Sequence, residues 1–191
     1  MTIDINDFKA GMRRLSASVC LITTRDANGQ RSGLTATAVC SVCAEPPTLL
    51  VCVNRKSGSH AALCESGIFG VNALALEDRI LADRFASPIA PEEKFSEGLW
   101  GSMETGAPIL ESALASFDCR LTNSVIVGTH EILFGEIQAV RVRPSEVKPL
   151  LFAHGGYGGF TAENIVKMAD LMWMPNWGSH EMGWSPDDVS S

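Results

Sequence analysis

The order of apolar and polar residues predicts a chain made mostly of short strands, with a helix near its start. Apolar side chains recur there at helical spacing: Ile5, Phe8, Met12 and Leu15. This spacing predicts an amphipathic helix over residues 4–16, with Asp4 as its N-cap. Apolar and β-branched runs bounded by turn signals predict strands at residues 18–24, 31–42, 48–54, 67–74, 115–127, 131–143 and 149–153.

Helical spacing returns at three later places, residues 57–65, 77–85 and 161–173. Residues 86–112 contain several Pro and Gly and are predicted to form a long irregular loop, and loops of this length are often functional. The number of strands and the spacing of the turns favour a mainly β fold. We expect an antiparallel barrel with helices laid over its ends.

Length and composition fit one globular domain. The chain has 191 residues, of which 46% are hydrophobic and 19% are charged. Its net charge of −7 disfavours binding to nucleic acid or to an anionic membrane surface. No apolar run reaches the ~18–20 residues of a membrane span, and the acidic start of the chain has no stretch of signal-peptide length. We therefore expect a cytoplasmic protein.

The cysteines and histidines predict no metal site. Five of the six cysteines lie in apolar or β-like segments, where a reduced thiol packs as a small hydrophobe. Cys40 and Cys43 form a Cys-x-x-Cys, a spacing also found in zinc sites and redox pairs. The second half of a zinc site is missing, and the pair ends a β-like run instead of opening a helix, so structural thiols are favoured. The four histidines match no metal-binding spacing.

Other catalytic motifs are also missing from the sequence. It has neither a Gly-x-Ser-x-Gly nucleophile elbow nor a Gly-x-x-x-x-Gly-Lys phosphate loop. The glycine cluster at residues 155–159 does not match the dinucleotide pattern Gly-x-Gly-x-x-Gly, because Thr161 stands at the third glycine position. A flexible turn after a strand is the favoured interpretation of this cluster.

The stretch Asn54-Arg55-Lys56-Ser57-Gly58-Ser59-His60 carries most of the chemical information. It leaves a predicted strand and begins a predicted helix, a place where backbone N–H groups bind anions. Lys56 adds positive charge, and Ser57 and Ser59 add hydroxyl donors. Taken alone, the stretch is better explained as a helix start capped by Ser57 than as a phosphate site.

Two further segments have both a structural and a functional interpretation. The small and hydroxyl side chains of residues 32–38 either form a solvated barrel wall or let a flat ring lie against the backbone. His130 follows Gly128 and Thr129 at a strand start, where a histidine is more often a turn residue than a catalytic one.

In this order the motifs resemble those of the flavin reductase-like family, whose members are FMN-binding split barrels. The resemblance extends from about Phe8 to Tyr157. It rests on these segments: Phe8-Lys9-x-x-Met12, Arg31-Ser32-Gly33-Leu34-Thr35-Ala36-Thr37-Ala38, Pro46-Pro47, Val53-Asn54-Arg55-Lys56-Ser57-Gly58-Ser59-His60, Gly70-Val71-Asn72, Ala82-x-Arg84-Phe85-Ala86, Phe95-x-x-Gly98-x-Trp100, Gly128-Thr129-His130 and Pro149-Leu150. The family usually has Gly-Asp-His where this chain has Gly128-Thr129-His130.

The resemblance implies a fold and a set of site residues. The fold is an antiparallel split β-barrel of Greek-key type with flanking helices over residues 1–160. The chain after about Thr161 is longer than the family core, and its helical spacing with Met and Trp residues predicts a C-terminal helical extension, residues 161–191, that packs on the domain or the dimer. The flavin ring and ribityl chain would be lined by Gly33, Leu34, Thr35, Ala36, Thr37 and Ala38. The phosphate would be held by Asn54, Lys56, Ser57, Ser59 and His60, and the flavin flanked by Arg84, Phe85 and Ala86. His130 would contact the nicotinamide dinucleotide as the catalytic residue, with Tyr157 near it.

The resemblance also implies an activity. The chain would be a homodimeric oxidoreductase that transfers hydride from NADH or NADPH to FMN, with FAD as an alternative flavin, and supplies reduced flavin or electrons to a partner monooxygenase. Two other interpretations stay open. One is a flavin-dependent corrinoid reductase of the cob(II)yrinic acid diamide reductase type, and the other is a flavin- or haem-binding split-barrel module without turnover.

Overall fold

The computed structural model describes residues 3–143 and 147–160. Its helices are α1 Ile5–Met12, α2 His60–Ser66, α3 Arg79–Ala86 and α4 Pro91–Lys94, with a 3₁₀ turn at Leu76–Asp78 before α3. Its strands are β1 Ala17–Ser18, β2 Cys20–Arg25, β3 Arg31–Ala36, β4 Val39–Ala44, β5 Pro47–Asn54, β6 Ile68–Ala73, β7 Trp100–Ser102, β8 Pro108–Leu110, β9 Ala115–Val127, β10 His130–Val142, β11 Leu150–Ala153 and β12 Gly156–Gly159. The helix predicted at 161–173 and the extension predicted at 161–191 lie outside the described residues.

The main sheet is antiparallel, has seven strands and curls on itself. Its strand order is β3-β2-β6-β9-β10-β5-β4, so β3 and β4 form its two edges. Only Thr37 and Ala38 separate these strands in the chain, and Ala38 accepts a 3.0 Å hydrogen bond from the backbone of Cys52 in β5. The two edges must therefore meet at this turn. The predicted antiparallel barrel is confirmed, whereas the single strand predicted at 31–42 is wrong, because the chain there crosses from one edge to the other.

Strand β2 is buried on both faces because it lies between two cores. Ile22 belongs to a cluster inside the barrel with Val51 and Leu133. Leu21 belongs to a second cluster with Leu81 of α3. Since side chains alternate along a strand, one continuous apolar run supplies both cores. Helix α3 is thereby held against the barrel wall. Within the described residues, no helix is long and apolar enough to span a membrane.

The long loop predicted at 86–112 is more ordered than its composition indicates. It contains α4 and the hairpin of β7 and β8. Its aromatic residues pack on α3: the ring centroid of Phe85 lies 4.9 Å from that of Phe95 and 5.5 Å from that of Trp100. Burial of these rings offsets the conformational entropy lost when the segment is ordered. The prediction of an irregular loop is therefore wrong for these parts.

Several smaller predictions are corrected by the structure. Asp4 caps α1 as predicted, accepting hydrogen bonds from the backbone of Asn6 and Asp7, but the helix ends at Met12. The predicted helix at 57–65 begins only at residue 60, and the one at 77–85 starts as the 3₁₀ turn. Gly156–Gly159 is strand β12, paired with β11, and not a flexible turn.

The cysteines follow the predicted burial only in part. Cys20 and Cys119 are buried, and burial raises the pKa of each thiol to about 12. Cys40 and Cys43 are exposed because β4 is an edge strand, so packing does not explain this pair. All six cysteines are free thiols.

Candidate functional site

A pocket of about 790 Å³ lies against the edge strands, within the range of small-molecule and cofactor sites. Five segments line it: the end of β3 with the β3–β4 turn, the end of β5 with the loop after it, the end of α3 with the loop after it, the end of α4, and the start of β10. The lining residues are Leu34, Thr35, Ala36, Thr37, Ala38, Cys52, Asn54, Lys56, Ser57, Gly58, Phe85, Ala86, Ser87, Pro88, Ile89, Lys94 and His130.

The apolar wall of the pocket is held in place by α3. Thr35 donates a 2.7 Å hydrogen bond to the carbonyl oxygen of Ala82, which ties β3 to the helix. Gly33 allows the two to approach closely, because a Cβ at this position would lie 2.8 Å from Phe85 and 2.9 Å from the carbonyl oxygen of Ile22. The ends of β3 and α3 thereby form one continuous wall of the pocket.

The loop between β5 and α2 forms the polar end of the pocket. The side chain of Asn54 accepts a 2.9 Å hydrogen bond from the backbone of Lys56, which turns the chain sharply. Within the described residues, the N–H of Gly58 has no acceptor. The first turn of α2 has no side-chain cap, since the hydroxyl of Ser59 donates to the carbonyl oxygen of Gly33 instead. The loop therefore offers unpaired N–H groups beside Lys56 and Ser57.

Lys94 is a second cation at this end of the pocket, and the sequence analysis did not select it. Its ammonium donates to the carbonyl oxygens of Gly33 at 3.2 Å and Phe85 at 3.1 Å. Because Ser59 donates to the same Gly33 oxygen, Lys94 lies close to the start of α2. Burial lowers the pKa of Lys94. Among the described residues that line the pocket none is acidic, so a chain of net charge −7 presents a positive site here.

His130 reaches the pocket through the pairing of β10 with β5. It lies directly opposite Asn54, and the backbone of Arg55 donates to the carbonyl oxygen of Thr129. Gly128 takes a φ of +56° as the first residue of the two-residue turn before it, a conformation that favours glycine. His130 Nδ1 lies 2.9 Å from the hydroxyl of Thr129, and its ring is exposed toward the pocket.

Comparison with known proteins identifies the family. Residues 12–161 match the family described as "Flavin reductase like domain". The chain belongs to the flavin reductase-like family. It is 43% identical over 152 residues to the FMN reductase (NADH) RutF of Stutzerimonas stutzeri strain A1501, covering 80% of this chain and 87% of that protein.

Solved structures of flavin reductases have the same fold. A protein from Haemophilus somnus 129pt, described as a flavin reductase, superposes with a TM-score of 0.79 at 36% identity, covering 83% of this chain and all of that one (100%). BorF, the flavin reductase component of a bacterial two-component tryptophan halogenase, superposes with a TM-score of 0.74 at 28% identity, covering 82% of this chain and 98% of that one. The split-barrel expectation is thereby confirmed.

This flavin reductase-like chain brings most of the predicted site residues together. The residues that were predicted and line the pocket are Leu34, Thr35, Ala36, Thr37, Ala38, Asn54, Lys56, Ser57, Phe85, Ala86 and His130. The sequence analysis missed Cys52, Gly58, Lys94 and residues 87–89. Cys52 shares a strand face with Asn54, so alternation along β5 could have found it. Lys94 has no local signal, because it reaches the pocket from a segment predicted to be irregular.

Five predicted residues have side-chain partners outside the pocket or contribute through the backbone. Two of the five are Gly33 and Ser59: the hydroxyl of Ser59 donates to the carbonyl oxygen of Gly33, which also accepts a hydrogen bond from Lys94. His60 pairs with Glu131 at 2.7 Å. The side chains of the other two, Arg84 and Tyr157, have partners outside the pocket lining. Arg84 donates to the carbonyl oxygen of Glu93, and Tyr157 packs on Phe152 with the guanidinium of Arg79 over its ring.

The residues present fit a bound FMN. The pocket wall formed by the ends of β3 and α3, with Leu34, Ala36 and Phe85, suits a planar ring, and the positive, uncapped end suits a phosphate. The ring edges and the ribityl hydroxyls would meet Thr35, Thr37 and the backbone between them. His130 lies on the rim, where a second ligand reaches the ring.

Proposed function

We propose that this chain is an NADH-dependent FMN reductase. The observation that carries the proposal is the pocket itself, with a wall rich in apolar side chains at one side and two lysines beside an uncapped helix start at the other. Family membership and the FMN reductase relatives support the same activity. When bound, the flavin supplies the hydride acceptor, N5, for C4 of the nicotinamide, so the protein needs no nucleophile or metal for this step.

The chain's own residues then bind the flavin and the dinucleotide and orient them for hydride transfer. Lys56, Ser57 and Lys94 would hold the phosphate of a bound FMN. Residues 34–38 and Phe85 would pack against its ring. His130 positions the dinucleotide at the rim, where close stacking at roughly 3–3.5 Å is required for transfer.

One experiment separates this function from its alternatives. Purified protein is given NADH with FMN, FAD or riboflavin in turn, and loss of NADH absorbance is followed. FMN-dependent oxidation is expected, with riboflavin used less well because it lacks the phosphate. Lys56→Gln should reduce the preference for FMN over riboflavin, while the exposed Lys9→Gln on α1 serves as the matched control. Flavin binding without oxidation would instead establish the non-catalytic module, and electron transfer restricted to a cob(II)yrinic acid derivative would establish the corrinoid reductase.

The proposed product is reduced flavin passed to a separate enzyme. BorF and the Mycobacterium thermoresistibile homologue of nitrilotriacetate monooxygenase component B are named as components of such systems. The pocket is open to solvent in the described residues, which supports release of the flavin between turnovers. The free thiols support a cytoplasmic location, since reducing compartments keep cysteines unpaired.

We also propose a homodimer. Three consecutive apolar side chains lie exposed at the tip of the β9–β10 hairpin: Val125, Ile126 and Val127. Apolar patches of this kind mark association surfaces. Light scattering should give twice the chain mass, and Ile126→Lys should shift it to the monomer; a monomeric wild type would refute the proposal.

A further inference from the structure

Three side chains with metal-binding atoms meet where α2 lies over β10. His60 and Cys64 are one turn apart on α2, and Glu131 is the second residue of β10. His60 Nε2 lies 2.7 Å from Glu131 Oε2 and 3.7 Å from Cys64 Sγ. All three ligand atoms lie within 4.8 Å of one another. From this geometry we propose that His60, Cys64 and Glu131 form a binding site for a zinc-like divalent cation, with water as the fourth ligand.

The distances suit tetrahedral zinc. With Zn–N and Zn–O near 2.1 Å and Zn–S near 2.3 Å, tetrahedral ligands lie about 3.4 Å apart for N and O and about 3.6 Å apart for S and N. Cys64 Sγ and His60 Nε2 already have this separation. The hydrogen bond between His60 and Glu131 has to open by roughly 0.7 Å, and Cys64 Sγ has to lie about 3.6 Å from the Glu131 carboxylate, within the 4.8 Å that bounds all three separations.

The ligand types select the class of cation. A thiolate and an imidazole favour borderline or soft ions such as Zn²⁺ over Mg²⁺ and Ca²⁺, which require oxygen ligands. The helix supplies His60 and Cys64 at a spacing of four residues, so both face the strand. The sequence analysis could not see this set, because Glu131 joins it only through the fold of the barrel.

Charge and burial also favour a divalent cation. The side chains of His60 and Glu131 are only 17% and 11% exposed. One thiolate and one carboxylate neutralise the double charge of the ion, so the occupied site has no net charge to desolvate. Hydrogen bonds from Ser124 and His60 lower the pKa of Glu131 and so favour its carboxylate form.

The proton balance of binding follows from the groups involved. A free thiol is protonated near neutral pH, whereas a metal binds the thiolate. Metal binding therefore releases the thiol proton of Cys64 to solvent. His60 would bind through the lone pair of Nε2, so in the occupied site the ring proton resides on Nδ1. Binding should be tighter at higher pH.

The exposed Cys40 and Cys43 are the main rival thiols, so the test starts from a full-length Cys40→Ser/Cys43→Ser variant. Zn²⁺ alone is added in a phosphate-free buffer and followed by calorimetry and by X-ray absorption at the zinc edge, which bound flavin does not disturb. We expect one ion per chain, with one sulfur near 2.3 Å and N/O ligands near 2.1 Å. Loss of a ligand-supporting residue costs 10–100-fold in affinity, so loss of a ligand, in Cys64→Ser or Glu131→Gln, should cost about 100-fold or more.

The control is Cys52→Ser, a half-buried cysteine outside the cluster, which should leave zinc affinity unchanged. A zinc spectrum without sulfur, or equal affinity for Cys64→Ser and Cys52→Ser, would overturn the proposal. Because the readout is zinc binding and not NADH oxidation, the result is independent of the proposed reductase activity.

Discussion

The hydroxyl of Ser59 donates a 2.8 Å hydrogen bond to the carbonyl oxygen of Gly33. This contact joins the start of α2 to strand β3, which are far apart in the chain. It also withdraws Ser59 from capping its own helix, so the first turn of α2 keeps its N–H groups available. One buried hydrogen bond thereby positions the loop that carries Lys56 and Ser57.

Ser57 and Ser59 should respond differently to the same substitution. Ser57 lines the pocket, so Ser57→Ala should weaken FMN binding by about 1.5–3 kcal/mol, the value of a hydrogen bond to a charged group, with little change in Tm. Ser59 is buried, so Ser59→Ala should lower the free energy of unfolding by about 1 kcal/mol. Fluorescence titration with FMN and thermal unfolding measure the two effects. Unchanged FMN affinity in Ser57→Ala would show that Ser57 does not bind the phosphate.

Lys94 should contribute to FMN binding through its charge interaction with the FMN phosphate. Lys94→Met removes a cation next to the start of α2 and should weaken FMN by about tenfold or more, since charge-assisted hydrogen bonds are the strong ones. Riboflavin should be affected less, because it carries no phosphate. Lys94→Arg keeps the charge and should restore most of the affinity. Equal losses for FMN and riboflavin would place Lys94 beside the ring instead.

His130 should act on the dinucleotide and not on the flavin. His130→Ala should raise the KM for NADH while the Kd for FMN stays unchanged, because the ring lies exposed at the rim of the pocket. Steady-state kinetics and FMN titration on the same preparation give both values. Thr129→Val, which removes only the hydroxyl beside His130 Nδ1, is the matched control and should have a smaller effect. Parallel loss of NADH and FMN binding would assign His130 to the flavin site.

Glu131 should make stability depend on pH in the acidic range. Hydrogen bonds from Ser124 and His60 lower its pKa below the ordinary value of 4.5. A carboxylate with a lowered pKa stabilises the fold fully above about pH 4.5, and this contribution is lost as the pH falls through the folded-state pKa. Glu131→Gln should therefore be less stable than the wild type near neutral pH, and the gap should close on acidification. Urea unfolding over a pH series with EDTA present measures the gap; a gap independent of pH would assign the effect to packing.

Local patterns in the sequence determined much of the site. The turn-and-helix stretch at 54–60 and the small-residue strand at 33–38 were found from residue type and order, and both contribute to the pocket. The pair Phe85-Ala86 was assigned only through the family resemblance. The N-cap by Asp4 was found in the same way. Such features depend on interactions between residues close in the chain, so they can be predicted without knowing the fold.

The tertiary structure alone decided where those segments point and what joins them. The break at Thr37 exists because β3 and β4 are opposite edges of a closed sheet. Ser59 and His60 belong to the predicted phosphate loop, yet their side chains turn to Gly33 and Glu131. Lys94 reaches the pocket only because aromatic packing orders its loop. The direction of a side chain is set by strand register and by packing between distant segments, and these long-range contacts are not encoded in any short stretch of residues.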